Sequence, residues 1–152
     1  MIRTSILGAL SFLVVGAVQP LRAQTGTEVY PTVSGTSVLE DFGGLDGIRA
    51  LMEGFERELV ANPTTQPFFG NRDNTALKAR LVEQVCQILN GGCTYAGRTM
   101  RDSHAGMGVS QTQFYVLVEA LLKAMEQRRI PFASQNRLLA VLAPMHRDII
   151  TR

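Results

Sequence analysis

From Leu45 to the C terminus, apolar residues recur at helical spacing, and no stretch alternates apolar and polar residues with a period of two. The first apolar face begins with Leu45 and Ile48 and predicts a helix that ends near Asn62 and Pro63. A half-buried strand would need the missing period of two. The pattern therefore predicts an all-α fold.

Three more helices are predicted farther along the chain. One covers 75–89 with Asn74 as its N-cap, and one begins at the capping box that Ser110 opens. The last begins at Ser134, and Pro144 should kink it. Four substantial helices with short connections suit a compact helical sandwich or bundle, but the period does not specify which one.

The N-terminal segment has the pattern of a secretory signal. Arg3 gives it a positive start, an uncharged and mostly apolar run covers 4–21, and the small residue Ala23 precedes the expected cut. We predict that residues 1–23 are removed and that the protein is exported, to the periplasm or outside the cell. A retained membrane anchor is the alternative, although the run is short for a spanning helix and diluted by glycine and serine.

The rest of the chain is divided into a leader and one domain. Residues 24–40 are rich in Thr, Ser, Gly and Pro and predict a flexible leader before a domain at 41–152. The whole chain has 15 basic and 13 acidic residues, and loss of Arg3 and Arg22 leaves 13 of each. With no net charge and no basic stripe, we predict no nucleic-acid partner and, after cleavage, no membrane partner.

Both cysteines, Cys86 and Cys93, follow the predicted signal, and export would allow them to pair. On one continuous helix their separation corresponds to about 10 Å of rise, whereas a disulfide needs Cα atoms roughly 4.4–6.8 Å apart. Asn90, Gly91 and Gly92 can end the helix and reverse the chain between them. We predict a disulfide; two unpaired thiols are the alternative.

His104 is one of only two histidines, and its surroundings are unusual. It follows a glycine-broken loop and lies between Met100 and Met107, a setting in which neutral imidazole can hold a haem iron. Taken on chemistry alone, a single histidine bonded to the backbone explains the pattern better, because one histidine makes no constellation. His146, among charged neighbours, is predicted to be a solvated surface residue.

Several ordered motifs resemble the truncated haemoglobins of the first group. The resemblance covers about 42–150 and implies a two-over-two helical sandwich around haem b, with oxygen, carbon monoxide and nitric oxide as typical ligands. Its motifs are Phe42-Gly43-Gly44, Phe55, Pro67-Phe68-Phe69, Gly91-Gly92, Tyr95-Ala96-Gly97-Arg98, His104-Ala105-Gly106-Met107-Gly108-Val109-Ser110 and Leu142-Ala143-Pro144-Met145.

By position, the resemblance implies a set of haem contacts. His104 becomes the proximal iron ligand, and Arg80 falls where a basic side chain pairs with a haem propionate. Leu77 and Leu81 fall on the distal helix, above the iron. The other positions that it assigns to the porphyrin are Phe69, Tyr95, Met100, Val109 and Phe114.

The chain departs from the family pattern where a bound gas would be contacted. A Phe-Tyr pair is usual in the first long helix, but Phe55 is followed here by Glu56. At about 100° per residue Glu56 falls at the edge of the apolar face. We expect burial near Leu77 and Leu81 to raise its pKa and make oxygen binding pH-dependent; a solvent-facing carboxylate is the alternative. Gln84 is the other candidate distal residue.

Three functional hypotheses follow. The leading one is a haem protein that binds diatomic gases, with an unidentified electron donor as a further partner. A peroxidase-like haem protein is the second and would use Glu56 as its distal acid–base group. The third is a haem-free helical interaction module, which a haem spectrum of the purified protein would exclude.

Overall fold

The computed structural model describes residues 30–152, and in that range it contains α-helices, one 3₁₀ turn and no strand. The all-α prediction is confirmed. The helices are α1 (Ser37–Asp41), α2 (Gly44–Ala61), α3 (Gln66–Phe69), α4 (Thr75–Ile88), α5 (Met100–His104), α6 (Gln111–Gln127), α7 (Phe132–Leu142) and α8 (His146–Ile149).

Four long helices build two layers, and the short ones close the ends. Helix α2 contacts both α4 and α6, and α4 also contacts α7. Helices α2 and α4 thereby pack against α6 and α7 over a shared apolar core. Fully buried side chains from both pairs fill it, among them Ile48, Leu51, Ile88, Met125 and Leu138.

Residues 30–40 do not form the flexible leader that was predicted for 24–40. Tyr30, Val33 and Val38 are buried in the core, and the Val33 amide donates a 2.7 Å hydrogen bond to the carbonyl of Ile88. The surrounding Thr, Ser, Gly and Pro concealed three apolar residues that can reach the core. Residues 24–29, like the predicted signal at 1–23, lie outside the described residues.

The predicted helix boundaries are close, but one cap is wrong. Asn74 precedes α4, yet its side-chain amide donates to the carbonyl of Phe69 at 2.8 Å and does not cap the helix. Asp73 accepts from the Thr75 amide instead, at 2.8 Å. The capping box at Ser110 is confirmed. Pro144 lies in the 3₁₀ turn Ala143–Met145, which interrupts the α-helix between α7 and α8 where a kink was predicted.

The disulfide between Cys86 and Cys93 is confirmed, with Cα atoms 5.6 Å apart. The chain reverses between them because Asn90 and Gly92 adopt left-handed backbone, with φ of 59° and 75°. Gly91 packs so closely that a Cβ there would lie 2.8 Å from the Cys86 sulfur. The end of α4 is thereby joined to the start of the segment that leads to α5.

None of the helices in residues 30–152 is long and apolar enough to cross a membrane.

Candidate functional site

A cavity of about 430 Å³ lies among α2, α4, α5, α6 and the C-terminal helices. Its walls are almost entirely apolar, and its volume is in the range of ligand-binding sites, which typically enclose about 300–1,000 Å³. The apolar side chains that line it include Met52, Phe55, Leu59, Phe68, Phe69, Leu77, Leu81, Val85, Met100, Met107, Val109, Phe114, Leu117, Leu121, Leu139, Leu142, Met145 and Ile149.

His104 is the last residue of α5 and lines this cavity. Its Nδ1 lies 2.8 Å from the carbonyl oxygen of Met100, one turn earlier in the same helix. A carbonyl can only accept, so Nδ1 carries the proton and donates. Neutral imidazole then keeps a lone pair on Nε2, which is the form that binds metals.

Local sequence fixes the position of α5. The Thr99 hydroxyl oxygen accepts a hydrogen bond from the Asp102 amide at 3.1 Å and caps the helix. Arg101 forms an ion pair with Asp148, which holds α5 against α8. Beyond the helix, Gly106 adopts φ of 75°, a left-handed conformation that glycine tolerates best. The helix α5 is therefore held in place at both ends, and this fixes the position of the His104 imidazole.

The structure brings together all of the predicted haem contacts. The residues predicted to contact haem all line the cavity: His104, Phe69, Leu77, Arg80, Leu81, Tyr95, Met100, Val109 and Phe114. Leu77 is 40% exposed and Arg80 is exposed, so both lie where the cavity meets solvent. Arg80 pairs with Glu83 on its own helix at 2.7 Å.

The polar groups on the cavity wall have partners within the protein. The Thr65 hydroxyl donates to the carbonyl of Leu59 at 2.7 Å, and the Tyr95 hydroxyl donates to the carbonyl of Arg98 at 2.8 Å. Gln84, predicted as a distal candidate, is buried and lines the cavity. Its amide nitrogen lies 3.9 Å and 3.8 Å from the sulfurs of Met100 and Met145.

Glu56 does not line the cavity, and the expectation that its pKa is raised is wrong. Its carboxylate forms an ion pair with the Lys78 ammonium at 2.8 Å on the flank where α2 meets α4, and Lys78 also binds Glu53 at 2.9 Å. The hydrogen bond from Lys78 lowers the pKa of Glu56 more than partial burial raises it, and Asn74 adds a second lowering hydrogen bond. Lys78, which was not predicted as a partner of Glu56, comes from α4 and supplies the neutralising charge.

Several residues on the wall were not predicted as site residues. Met52, Leu117 and Leu121 belong to apolar helix faces that were interpreted only as core, and nothing in the sequence separates the two roles. Thr65 and Phe68 come from the turn-rich segment before α4, where no periodicity is available to orient a side chain.

The second histidine behaves as predicted. His146 is exposed, its Nδ1 lies 2.9 Å from the carbonyl oxygen of Ala143, and its ring is tilted 6.3 Å from that of Phe114.

A family model described as bacterial-like globin matches residues 37–151. The group 1 truncated haemoglobin of Mycolicibacterium paratuberculosis is 25% identical over 115 residues, which make up 76% of this chain and 85% of that protein. The group 1 truncated haemoglobin of Tetrahymena pyriformis is 22% identical over 114 residues, or 75% of this chain and 94% of that protein.

Solved structures show the same fold. The Fe(III) form of the Tetrahymena pyriformis truncated haemoglobin superposes with a TM-score of 0.71 at 22% identity, covering 76% of this chain and 98% of that one. The 2/2 haemoglobin of Synechococcus, solved with covalently attached haem, gives 0.69 at 19% identity, with 76% and 98% covered. The predicted two-over-two helical sandwich is confirmed.

Proposed function

We propose that this chain, which belongs to the bacterial-like globin family, binds haem b in its cavity, uses His104 as the protein ligand of the iron and takes up diatomic gases there. Its similarity to group 1 truncated haemoglobins over three quarters of its length supports the cofactor. The assignment of His104 as the iron ligand and of gases as the bound molecules is inferred from the residues that line the cavity.

One observation carries the proposal: the hydrogen bond from His104 Nδ1 to the carbonyl of Met100 at 2.8 Å. This bond selects the tautomer in which Nε2 is unprotonated, and it makes the imidazole a stronger electron donor. Nε2 is then the ring nitrogen that would bind the iron, on a side chain that lines the cavity.

The cavity suits a porphyrin in size and polarity. Apolar walls from α2, α4 and α6 would cover both faces of a flat aromatic ring. Phe69, Leu81 and Phe114 line the cavity from three different segments. The exposed Arg80 lies at the margin of the cavity, where a guanidinium can pair with a propionate. That pairing would compete with the present ion pair to Glu83.

Ferrous haem b, when bound, supplies an open coordination position for a diatomic gas. Hydrogen-bond donors around that position favour oxygen, which gains negative character on binding, far more than carbon monoxide. On the α4 wall Leu77 and Leu81 are apolar, and the Gln84 amide is directed at the sulfurs of Met100 and Met145. Glu56 lies outside the cavity wall. We therefore expect a low preference for oxygen over carbon monoxide.

The peroxidase-like hypothesis has lost its acid–base group, since Glu56 is paired with Lys78 outside the cavity wall.

We further propose that residues 1–23 direct export, so that protein recovered from outside the cytoplasm should begin at Gln24. N-terminal sequencing of exported protein tests this directly, and an intact Met1 would exclude cleavage.

Titration of the purified apoprotein with ferric haem tests the function. We expect a stoichiometric Soret band that shifts when the protein is reduced and exposed to carbon monoxide. His104→Gly should lose this spectrum and regain it when free imidazole fills the space left by the side chain. His146→Ala, which removes the other histidine, should behave as the parent. A protein that takes up no haem, or a His104→Gly variant with the parental spectrum, would contradict the proposal.

A further inference from the structure

The segment from Cys93 to Thr99, called here the Cys93 loop, is fastened along α4 at three successive points. The first is the disulfide to Cys86. The second is a 2.6 Å hydrogen bond from the Tyr95 amide to the side-chain carbonyl of Gln87, and the third runs from the Ala96 amide to the Glu83 carboxylate at 3.3 Å. Only the first of these fastenings is covalent.

The Cys93 loop links two walls of the cavity. Tyr95 is buried and lines the cavity from within the loop, and its hydroxyl donates to the carbonyl of Arg98. The residue after the loop is Met100, which begins α5 and supplies the carbonyl that orients His104. Displacement of the loop from α4 would therefore disturb an aromatic wall residue and the helix that carries the imidazole.

The two sulfurs of the disulfide differ in accessibility. Cys86 is 1% exposed, and the backbone of Gly91 packs against its sulfur. Cys93 is half-buried and borders a second, open groove of about 610 Å³ between α2 and α4, beside Lys78 and Val82. An attacking thiolate can approach Cys93 from this groove, whereas Cys86 is covered.

We propose that the Cys86–Cys93 disulfide is a redox-controlled latch on the haem cavity, opened by a dithiol reductant that attacks Cys93. The proposal rests on the haem-binding function proposed above. In the oxidised protein the Cys93 loop is held on α4 and the cavity wall is closed. In the reduced protein the loop is held by hydrogen bonds and packing alone, and haem escapes faster.

The exchange is balanced in two steps. One thiolate of the dithiol attacks the Cys93 sulfur, a mixed disulfide forms, and Cys86 leaves as a thiolate that takes up a proton. The second thiol of the reductant then attacks the mixed disulfide and releases Cys93, which is protonated in turn. The reductant ends as a disulfide, and the protein has gained two electrons and two protons.

The test compares haem loss from one chain in two redox states. Ferric holoprotein is treated with dithiothreitol under argon, the reductant is removed by gel filtration, and haem transfer to excess apomyoglobin is followed. We expect the reduced protein to lose haem roughly tenfold faster than the oxidised protein, in keeping with the stabilisation that a disulfide across a short loop gives. Reoxidation should restore the slow rate.

The double variant C86A/C93A is the matched control, because it lacks the latch and should lose haem at the fast rate with or without dithiothreitol. Amide exchange on the apoprotein gives a readout independent of haem: reduction should expose the Tyr95 and Ala96 amides. Equal haem loss in both redox states with unchanged exchange at these amides would overturn the latch. Absence of haem binding in both states would instead overturn the haem-binding proposal, and amide exchange alone would then decide whether the loop opens.

Discussion

The α5 wall of the cavity and the flank between α2 and α4 each carry a titratable side chain, but only α5 presents it to the cavity. His104 gives one ring nitrogen to a carbonyl 2.8 Å away in its own helix and keeps the other. The carboxylate of Glu56 is held by Lys78 at 2.8 Å, and no part of it lines the cavity. A local backbone acceptor leaves the imidazole available to a ligand, whereas an ion pair occupies the carboxylate.

This difference sets the character of the cavity. The imidazole supplies a single basic nitrogen to a space whose other walls are almost entirely apolar, and the Glu56 charge remains outside it, paired with Lys78. A gas in this space meets leucine and phenylalanine side chains on α4 and before it. The arrangement favours ligands that need no hydrogen bond.

The largest predicted effect is on haem loss, and it is expected when His104 but not Glu56 is replaced by glutamine. His104→Gln should speed haem loss by about a hundredfold or more. Mutation of the residues that merely hydrogen-bond to a metal ligand already lowers metal affinity roughly 10–100-fold. Glu56→Gln should stay within about twofold of the parent, as substitutions away from a site usually do. Haem transfer to apomyoglobin measures both rates. Comparable changes in the two variants would remove the distinction between the regions.

A donor placed inside the cavity should sharpen the comparison. Leu81→Gln should slow oxygen dissociation by about tenfold, because one net hydrogen bond contributes roughly 1–1.5 kcal/mol, and should change carbon monoxide binding little. Leu77→Gln is the matched control, and its effect should be smaller because Leu77 is 40% exposed. Stopped-flow and flash photolysis give the rates. Oxygen dissociation unchanged in Leu81→Gln would mean that this side chain does not face the gas.

The ion pair on the α2–α4 flank should contribute to stability and not to ligand binding. Lys78→Met should lower the free energy of unfolding at pH 7 by about 0.5–1 kcal/mol, the range of partly exposed pairs. Because the folded pKa of Glu56 lies below its ordinary value of 4.5, the pair stabilises the fold above that pH. Its contribution is lost as the pH falls through the folded pKa, so the deficit of the variant should shrink there.

Urea unfolding at a series of pH values measures this dependence. Lys123→Met is the control, since Lys123 pairs with Glu58 but is 62% exposed, and its removal should leave the unfolding midpoint unchanged. A Lys78→Met deficit that grows as the pH falls would contradict the lowered pKa.

The smallest effect is expected at the cap of α5. Thr99→Ala removes the acceptor for the Asp102 amide and should speed haem loss by about two- to threefold, near the low end of what an N-cap contributes. Thr99→Ser keeps a hydroxyl and should restore the parental rate in the same assay. A rate unchanged in Thr99→Ala would show that α5 is positioned by its contacts with α8 alone.

The features that the sequence predicted correctly depend on neighbours close in the chain. Periodic apolar faces predicted the long helices, and the glycines after Cys86 allowed the disulfide. In each case the interacting groups lie within about two turns of one another, so spacing alone constrains their geometry.

The failures concern partners that come from elsewhere in the chain. Lys78 on α4 pairs with Glu56 on α2, and Tyr30 finds its place against the ring of Tyr95, 5.5 Å away. Asn74 is a local exception: it has the residue type of a cap but bonds the carbonyl of Phe69, five residues earlier. The helical period predicts where a residue lies on its own helix, but it does not identify the side chain of another helix that will contact it.

The central claim, that Nε2 of His104 binds the haem iron, is tested most directly by resonance Raman spectroscopy of the ferrous protein without added gas. We predict an iron–imidazole stretching band in the parent and in His146→Ala. The band should be absent from His104→Gly. When imidazole is added it should return, at the frequency of an iron–imidazole bond that is not tethered to the protein. An iron–imidazole band that persists unchanged in His104→Gly would contradict the assignment of His104 as the ligand.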